Sequence, residues 1–189
     1  ADGGWRVASH RPPIESSDIA VTALALRSLQ AYAPAPLKNE YARAVVRGAA
    51  WLEQAKPKSN EDHVYMVLGL TWAGASRPAI RKAANELIAH QRADGGWSQI
   101  PTLASDAYAT GQALTALAQS GVLKPTDPAY ERGVRFLLDT QLDDGSWYVR
   151  SRAIPIQPYF DSEFPHGKDQ FISAAATNWA TMALTWAVR

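Results

Sequence analysis

The chain writes one turn three times. It appears as ADGGWRV at residues 1–7, as QRADGGWSQ at 91–99 and as QLDDGSWYV at 141–149. Self-similarity of this kind restricts a chain to repeat architectures, in which each unit buries its apolar face against the next. Residues 78–97 (PAIRKAANELIAHQRADGGW) align without a gap to residues 128–147 (PAYERGVRFLLDTQLDDGSW), an offset of fifty. RAVVRGAAWLEQAK at 43–56 fits the same register, with Lys56 in place of Gln91 and Gln141, but its turn lacks the Gly-x-Trp. The segments that follow the turns also align: DIAVTALAL from Asp18, DHVYMVLGL from Asp62, DAYATGQAL from Asp106 and ATNWATMAL from Ala176.

Two helix types alternate through these repeats. In AYERGVRFLLDTQ, Tyr130, Val134, Leu137 and Leu138 recur at one-sided helical spacing with charges between them, and Ile80, Ala84, Leu87 and Ile88 repeat that spacing. Such helices face solvent on one side. In DIAVTALAL and ISAAATNWATMALTWA the apolar residues run nearly all the way round, which marks helices buried on both sides. The spacing predicts an all-α fold of about seven main helices, near 16–32, 38–55, 62–75, 77–91, 105–120, 127–141 and 170–188. Inner and outer helices alternate, wound as an α/α toroid or a partial (α/α) barrel. In the turns, Gly95 and Gly145 supply backbone freedom, Gln91 and Gln141 hydrogen-bond loose helix ends, and Trp97 and Trp147 cover the seam between outer helices. Residues 1–189 read as a single domain, and a chain that opens within its own turn motif reads as part of a longer one.

Composition narrows the partners. Apolar residues make up 47% and charged ones 20%, the mixture of a globular domain, and the net charge is +1. With no Lys/Arg run, no nucleic-acid surface is expected. No apolar stretch reaches the length of a membrane span, so no transmembrane segment is expected either. The absence of cysteine removes disulfides and thiolate metal sites without assigning a compartment.

Arg132, Gly133, Phe136, Leu137, Gln141, Gly145 and Trp147 follow the pattern basic–small–x–x–aromatic–aliphatic–x–x–x–Gln–x–x–x–Gly–x–Trp. On those residues the chain resembles the squalene–hopene cyclase and prenyltransferase repeat superfamily, whose QW repeat this is. The copy ending at Trp97 departs from it at Glu86, where an aromatic is expected. FPHGKDQFISAAATNWATMAL at the end resembles bacterial squalene-cyclase-like domains, an origin compatible with an extracytoplasmic or membrane-peripheral location. The resemblance implies the toroid fold and an isoprenoid-type ligand, but the same fold serves unrelated functions. Prenyltransferases of this superfamily use a Cys among their zinc ligands and its thioester domains need one, so a chain without cysteine fits neither. The Asp-x-Asp-Asp acid motif of the alkene-protonating cyclases and the Asp-Asp-x-x-Asp motif of the ionising ones are both missing. Asp143 and Asp144 lie in a turn, with Gln141 where a third Asp would be needed.

Asp18, Asp62 and Asp106 stand where inner helices begin. They read either as N-caps or as a ring of carboxylates at one mouth of a cavity, one of them able to act as an acid. Glu61, Asp62 and His63 are adjacent, but neighbours on a helix point apart and no second His sits four residues on, so no metal site and no cofactor is expected. Tyr65, Trp72, Tyr108 and Trp179 (with Trp186) belong to inner helices and read either as core or as the aromatic lining of a ligand cavity. Residues 148–171 (YVRSRAIPIQPYFDSEFPHGKDQF) break the period as an inserted loop. The loop reads either as packing held by ion pairs or as a lid. A lid would bring Tyr159, Phe160, Phe164 and His166 to the cavity mouth, with Arg150 or Arg152 paired to Asp161, Glu163 or an inner-helix Asp.

These features point first to a cyclase-like domain that binds an apolar, isoprenoid ligand without the usual acid. A protein-interaction or assembly domain is the alternative, because seven helices leave an incomplete ring whose inner face needs the rest of a longer chain or a second copy. A polysaccharide-active toroid using Arg150 or Arg152 against acidic sugars is a third.

Overall fold

The computed structural model describes residues 2–9 and 11–188. Its helices are α1 (Asp18–Tyr32), α2 (Lys38–Gln54), α3 (Asn60–Trp72), α4 (Arg77–Ala89), α5 (Ala107–Gln119), α6 (Pro128–Asp139) and α7 (Gln170–Ala187). Short 3₁₀ turns precede α2 and α7. All seven expected helices are present, each end within about three residues of its expected place. Among the described residues 58% are helical, counting the 3₁₀ turns, and the one β-type feature is an isolated bridge between Arg11 and Glu15.

The helices form two layers. α1 packs on α3, α3 on α5 and α5 on α7, making an inner row, while α2, α4 and α6 bridge successive pairs from outside. Composition explains the division. α5 is buried from Ala107 through Ala118, as its uniformly apolar and small residues require. α6 buries only Tyr130, Gly133 and Leu137 and turns its charges to water. Small residues set the closeness of the inner row. A Cβ on Gly111 of α5 would lie 2.6 Å from the Ala180 nitrogen and the Trp179 carbonyl carbon of α7, so only glycine admits that contact. α1 and α7 end the row, with Leu24 at 45% and Met182 at 40% exposure.

The turns follow a shared plan. The backbone N–H groups of Trp5, Trp97 and Trp147 donate to the hydroxyls of Thr22, Thr110 and Thr177 at 2.9, 2.9 and 3.1 Å, tying each turn to the inner helix it starts. Trp97 and Trp147 are buried, and their indole N–H groups donate to the Leu87 and Leu137 carbonyls, both at 2.8 Å. Gly95 (φ +86°) and Gly145 (φ +82°) occupy the left-handed region that favours glycine.

These threonines correct the sequence register. Asp18, Asp106 and Ser173 each lie four residues before one of them, so Ser173, not Ala176, is the position equivalent to Asp18 and Asp106. Asp62 is not their equivalent. The cap of α3 is Ser59, and Asp62 is the reciprocal partner in its capping box. Asp106 is itself an N-cap, whereas α1 is capped by Ser17. Equal sequence spacing misled here because α3 follows the one degenerate turn.

Candidate functional site

The insertion builds a cleft. It crosses the chain segment before α1 and the start of α7, and with them it encloses about 470 Å³ lined by Ile14, Ile154, Ile156, Tyr159, Phe160 and Phe171 among others. Pro12, Pro13, Pro155 and Pro158 stiffen its walls. Its large side chains are unusually open: Ile154 is 78% exposed, Phe160 65% and Tyr159 61%. Isolated apolar residues on a surface mean little, but a contiguous group around a concavity marks a binding site.

A second, polar cleft of about 480 Å³ lies between residues 99–106 and 148–152. Gln99 organises its floor. Its backbone oxygen accepts from the Asn60 N–H at 3.0 Å, its side-chain oxygen accepts from Arg152 Nε at 2.8 Å, and its Nε2 donates to Asp106 Oδ2 at 3.0 Å. This moors the insertion to the starts of α3 and α5. Further moorings run from Ser151 N–H and the Tyr148 hydroxyl to Asp169, and from Gln170 to the Phe160 carbonyl.

Glu61, one residue beyond Asn60, is buried. Its Oε2 accepts from the Tyr108 hydroxyl at 3.0 Å and from Gln112 Nε2 at 2.9 Å. Burial pushes its carboxyl up to about 7, with the Asp62 charge adding to the rise while Gln112, Tyr108 and Arg152 oppose it. Asp106 is also raised by burial, against its hydrogen bonds from Ala109 and Gln99. Arg152 is lowered by burial, opposed by Glu61, Tyr108 and Asp106.

The expected site residues fall into separate places. Asp106 walls the polar cleft, Asp62 accepts from Ser17 and from the Lys58 and Ser59 amides, and Asp18 accepts from the Val7 amide. They form no common ring. Tyr108 is buried against Glu61, while Tyr65 meets Trp72 edge-on at 6.5 Å and Arg27 stacks over Trp72 at 4.5 Å. Burial pushes the Tyr65 phenol up to about 12. Trp179 is half-buried on α7. Of the four insertion residues, Tyr159 and Phe160 line the apolar cleft, whereas His166 turns to Ser146 Oγ at 2.8 Å and packs against Tyr148 and Phe164. The expected Arg150 or Arg152 ion pairs are absent: among the described residues the ion pairs join Arg6 to Asp2 and Asp18, and Arg11 to Glu15. Glu61, Asp62 and His63 do point apart, to Tyr108, Ser17 and the His90 ring respectively.

Sequence reasoning passed over Glu61 as an acid, and over Gln99 and Gln112 altogether. For Gln112 the available signal was polarity out of place on a largely apolar inner helix, whereas Glu61 stands in the polar run Asn60–His63 at the start of α3 and left no such signal.

Comparison with known proteins finds distant homologues of this chain among terpene cyclases. The chain is 33% identical over 148 residues to drimenyl diphosphate synthase of Streptomyces showdoensis, covering 71% of the chain and 27% of that protein. It is 34% identical over 84 residues to lanosterol synthase of Mus musculus, covering 39% of the chain and 11% of that protein. Both are squalene–hopene cyclase superfamily members, and the chain is their distant homologue. It therefore spans about a quarter or less of the length of these curated relatives. No family model matches it. Among the described residues, no helix is long and apolar enough to cross a membrane.

Proposed function

We propose that this chain is a terpene-cyclase-like helical domain that binds an elongated apolar ligand of isoprenoid type. The observation that carries this reading is the apolar cleft under the insertion, whose roughly 470 Å³ falls in the range of small-molecule sites. Branched aliphatic and aromatic walls suit a methyl-branched, unsaturated chain, and the charged side chains that also line the cleft are Arg11, Glu15 and Lys168. The aromatic faces of Tyr65 and Trp72 belong to the inner row and are separate from this cleft. Binding is favoured over turnover because the Asp-x-Asp-Asp acid motif is missing from the sequence. Titration with farnesol and with squalene, followed by NMR, should shift residues 154–160 and Phe171, and gas chromatography after incubation should show no cyclised product. A cyclised product, or shifts confined to the inner helices, would overturn the reading.

A second reading, assembly, is favoured by the bare flanks of the inner row at Leu24 and Met182. The rest of a longer chain or a second copy would cover them.

A further inference from the structure

Unspent donors and unspent acceptors stand on either side of Gln99. Arg152 is half-buried in the insertion and donates its Nε to Gln99 Oε1 at 2.8 Å. Among the described residues its two terminal nitrogens make no hydrogen bond or ion pair. Gln99 carries that tether inward, through Nε2 to Asp106 Oδ2 at the cap of α5 and through its backbone oxygen to the Asn60 N–H at the start of α3. Beside Asn60 lies Glu61. Its Oε2 accepts from Tyr108 and Gln112 of α5, while among the described residues its Oε1 accepts from nothing. The side-chain oxygens of Asn60 and Gln112 are buried and have no donor among the described residues either. Asn60 Nδ2 donates to the Ala109 carbonyl at 3.2 Å, one turn before Gln112, so these acceptors share the seam between α3 and α5. Buried polar groups are normally paired. Three idle acceptors and one idle guanidinium, linked through Gln99, mark a contact that is not made here.

Charge names what would make it. Burial raises the Glu61 carboxyl, Gln112 and Tyr108 oppose the rise, Asp62 beside it adds to it, and Arg152 opposes it. Arg152 is the cation among these groups, and it feels Glu61, Tyr108 and Asp106 in turn. Tyr65, one turn along α3, is raised by burial and then by the Glu61 charge. The other helices packed on α3 turn their charges elsewhere. α1 sets Asp18 on the Val7 amide and Arg27 over Trp72, α2 keeps its charged residues exposed, and Glu86 and His90 of α4 act on His63. An ionised Glu61 therefore has Arg152 to meet it, and a buried carboxylate left unpaired is costly.

We infer that Arg152 is a proton-operated latch on the insertion, released when Glu61 is protonated and closed when Glu61 is ionised. In the released state the guanidinium holds Gln99 alone. In the closed state its free nitrogens donate to the Glu61 carboxylate and to the idle oxygens of Asn60 and Gln112, which pins the insertion to the α3–α5 seam. Ser151, next to Arg152, walls both the polar and the apolar cleft, so pinning at this point fixes the near wall of the apolar one. The apolar cleft then grips its ligand more tightly at the alkaline end of the neutral range than at the acid end. The inference rests on the reading of that cleft as a ligand site and adds its regulation.

Amide exchange on the whole chain, corrected for the intrinsic rate at each pH, tests the latch without any ligand. Protection of residues 149–158 should rise about threefold or more between pH 5 and 8, even though global stability falls over that range. Glu61→Gln should hold protection at its low-pH level throughout, and Arg152→Gln should lose the rise as well. Flat protection in the wild type, or a rise that survives in Glu61→Gln, would overturn the latch. His166→Asn, at the far end of the insertion against Ser146, should keep the rise. Losing it there would give the response to the histidine and overturn the latch too. Farnesol has no group that ionises in this range, so its affinity followed by NMR should climb by a similar factor in the wild type and stay level in Glu61→Gln. Equal affinity at both ends would overturn the regulation. No farnesol binding at any pH, with the rise in protection intact, would instead remove the ligand reading and leave the movement of Arg152 standing.

Discussion

The Tyr108 hydroxyl of α5 donates to Glu61 Oε2 of α3 across 3.0 Å, in a place where neither side chain reaches water. One buried carboxyl thus links two inner helices, and Gln112 holds the same oxygen from one turn further along α5. Among the described residues no cation is paired with it, and Arg152 donates its Nε to Gln99 instead. A carboxylate in such a place is costly, and the group stays protonated well beyond the usual carboxylate range.

The first prediction follows from that proton. Glu61 titrates near 4.5 when unfolded and at about 7 when folded, so the unfolded chain loses the proton first. Its contribution to stability is fully present below about pH 4.5 and is lost as pH rises through 7, a change on the order of 3 kcal/mol. Asp106, also raised, acts with the same sign. Urea denaturation from pH 5 to 8 should show wild-type stability falling with pH, and Glu61→Gln should remove most of that slope. An unchanged slope in Glu61→Gln would assign the effect elsewhere.

The second concerns the turn tryptophans. Trp97 and Trp147 are buried and donate to the last turn of the preceding outer helix. Trp97→Ala or Trp147→Ala should destabilise by roughly 3–5 kcal/mol in chemical denaturation. Phe at either position keeps most of the packing and removes one of the donors to the Leu87 or Leu137 carbonyl, which still accepts from the His90 or Thr140 N–H, so the loss should be about 0.5–1.5 kcal/mol.

The third tests the inner row. Gly111→Ala places a methyl group against the Trp179–Ala180 backbone of α7, and neither helix can yield by rotating a side chain. Destabilisation of about 1–3 kcal/mol is expected. Gly121→Ala is the control: its φ of +66° strains a side chain, but nothing lies within 4 Å of its Cβ, so α5 and α7 stay in register there.

The helices and their layering were legible because the signal is periodic and repeated. One-sided spacing marks Ile80, Ala84, Leu87 and Ile88 of α4 as the inward stripe; the first three are buried and Ile88 is half-buried. Register across the inner helices was not legible. Asp18, Asp62 and Asp106 are spaced evenly along the chain, yet Asp62 enters its helix three residues later than a cap, because the degenerate turn before α3 changes the loop length. The insertion was recognisable as a break in period, but its split destinations were not. Tyr159 and Phe160 go to one cleft while His166 goes to Ser146, and such long-range pairings leave no local trace. Glu61 was overlooked because its significance comes from α5, forty-seven residues away at Tyr108.

The last prediction bears on the apolar cleft. Phe160 and Ile154 are exposed in the free chain, so truncating them costs the fold little, whereas a ligand seated between them buries both. Phe160→Ala should therefore weaken farnesol or squalene binding about tenfold, corresponding to roughly 1.4 kcal/mol, with a change in stability under about 0.5 kcal/mol. Ile154→Ala should give a smaller loss of the same kind. Gln99→Ala acts indirectly, by removing the acceptor that moors Arg152 and so the near end of the insertion. It should weaken binding while also raising amide exchange across residues 150–158. Equal affinities in wild type and Phe160→Ala would place the ligand outside this cleft. A loss in Gln99→Ala without faster exchange would mean that Gln99 touches the ligand instead of holding the wall.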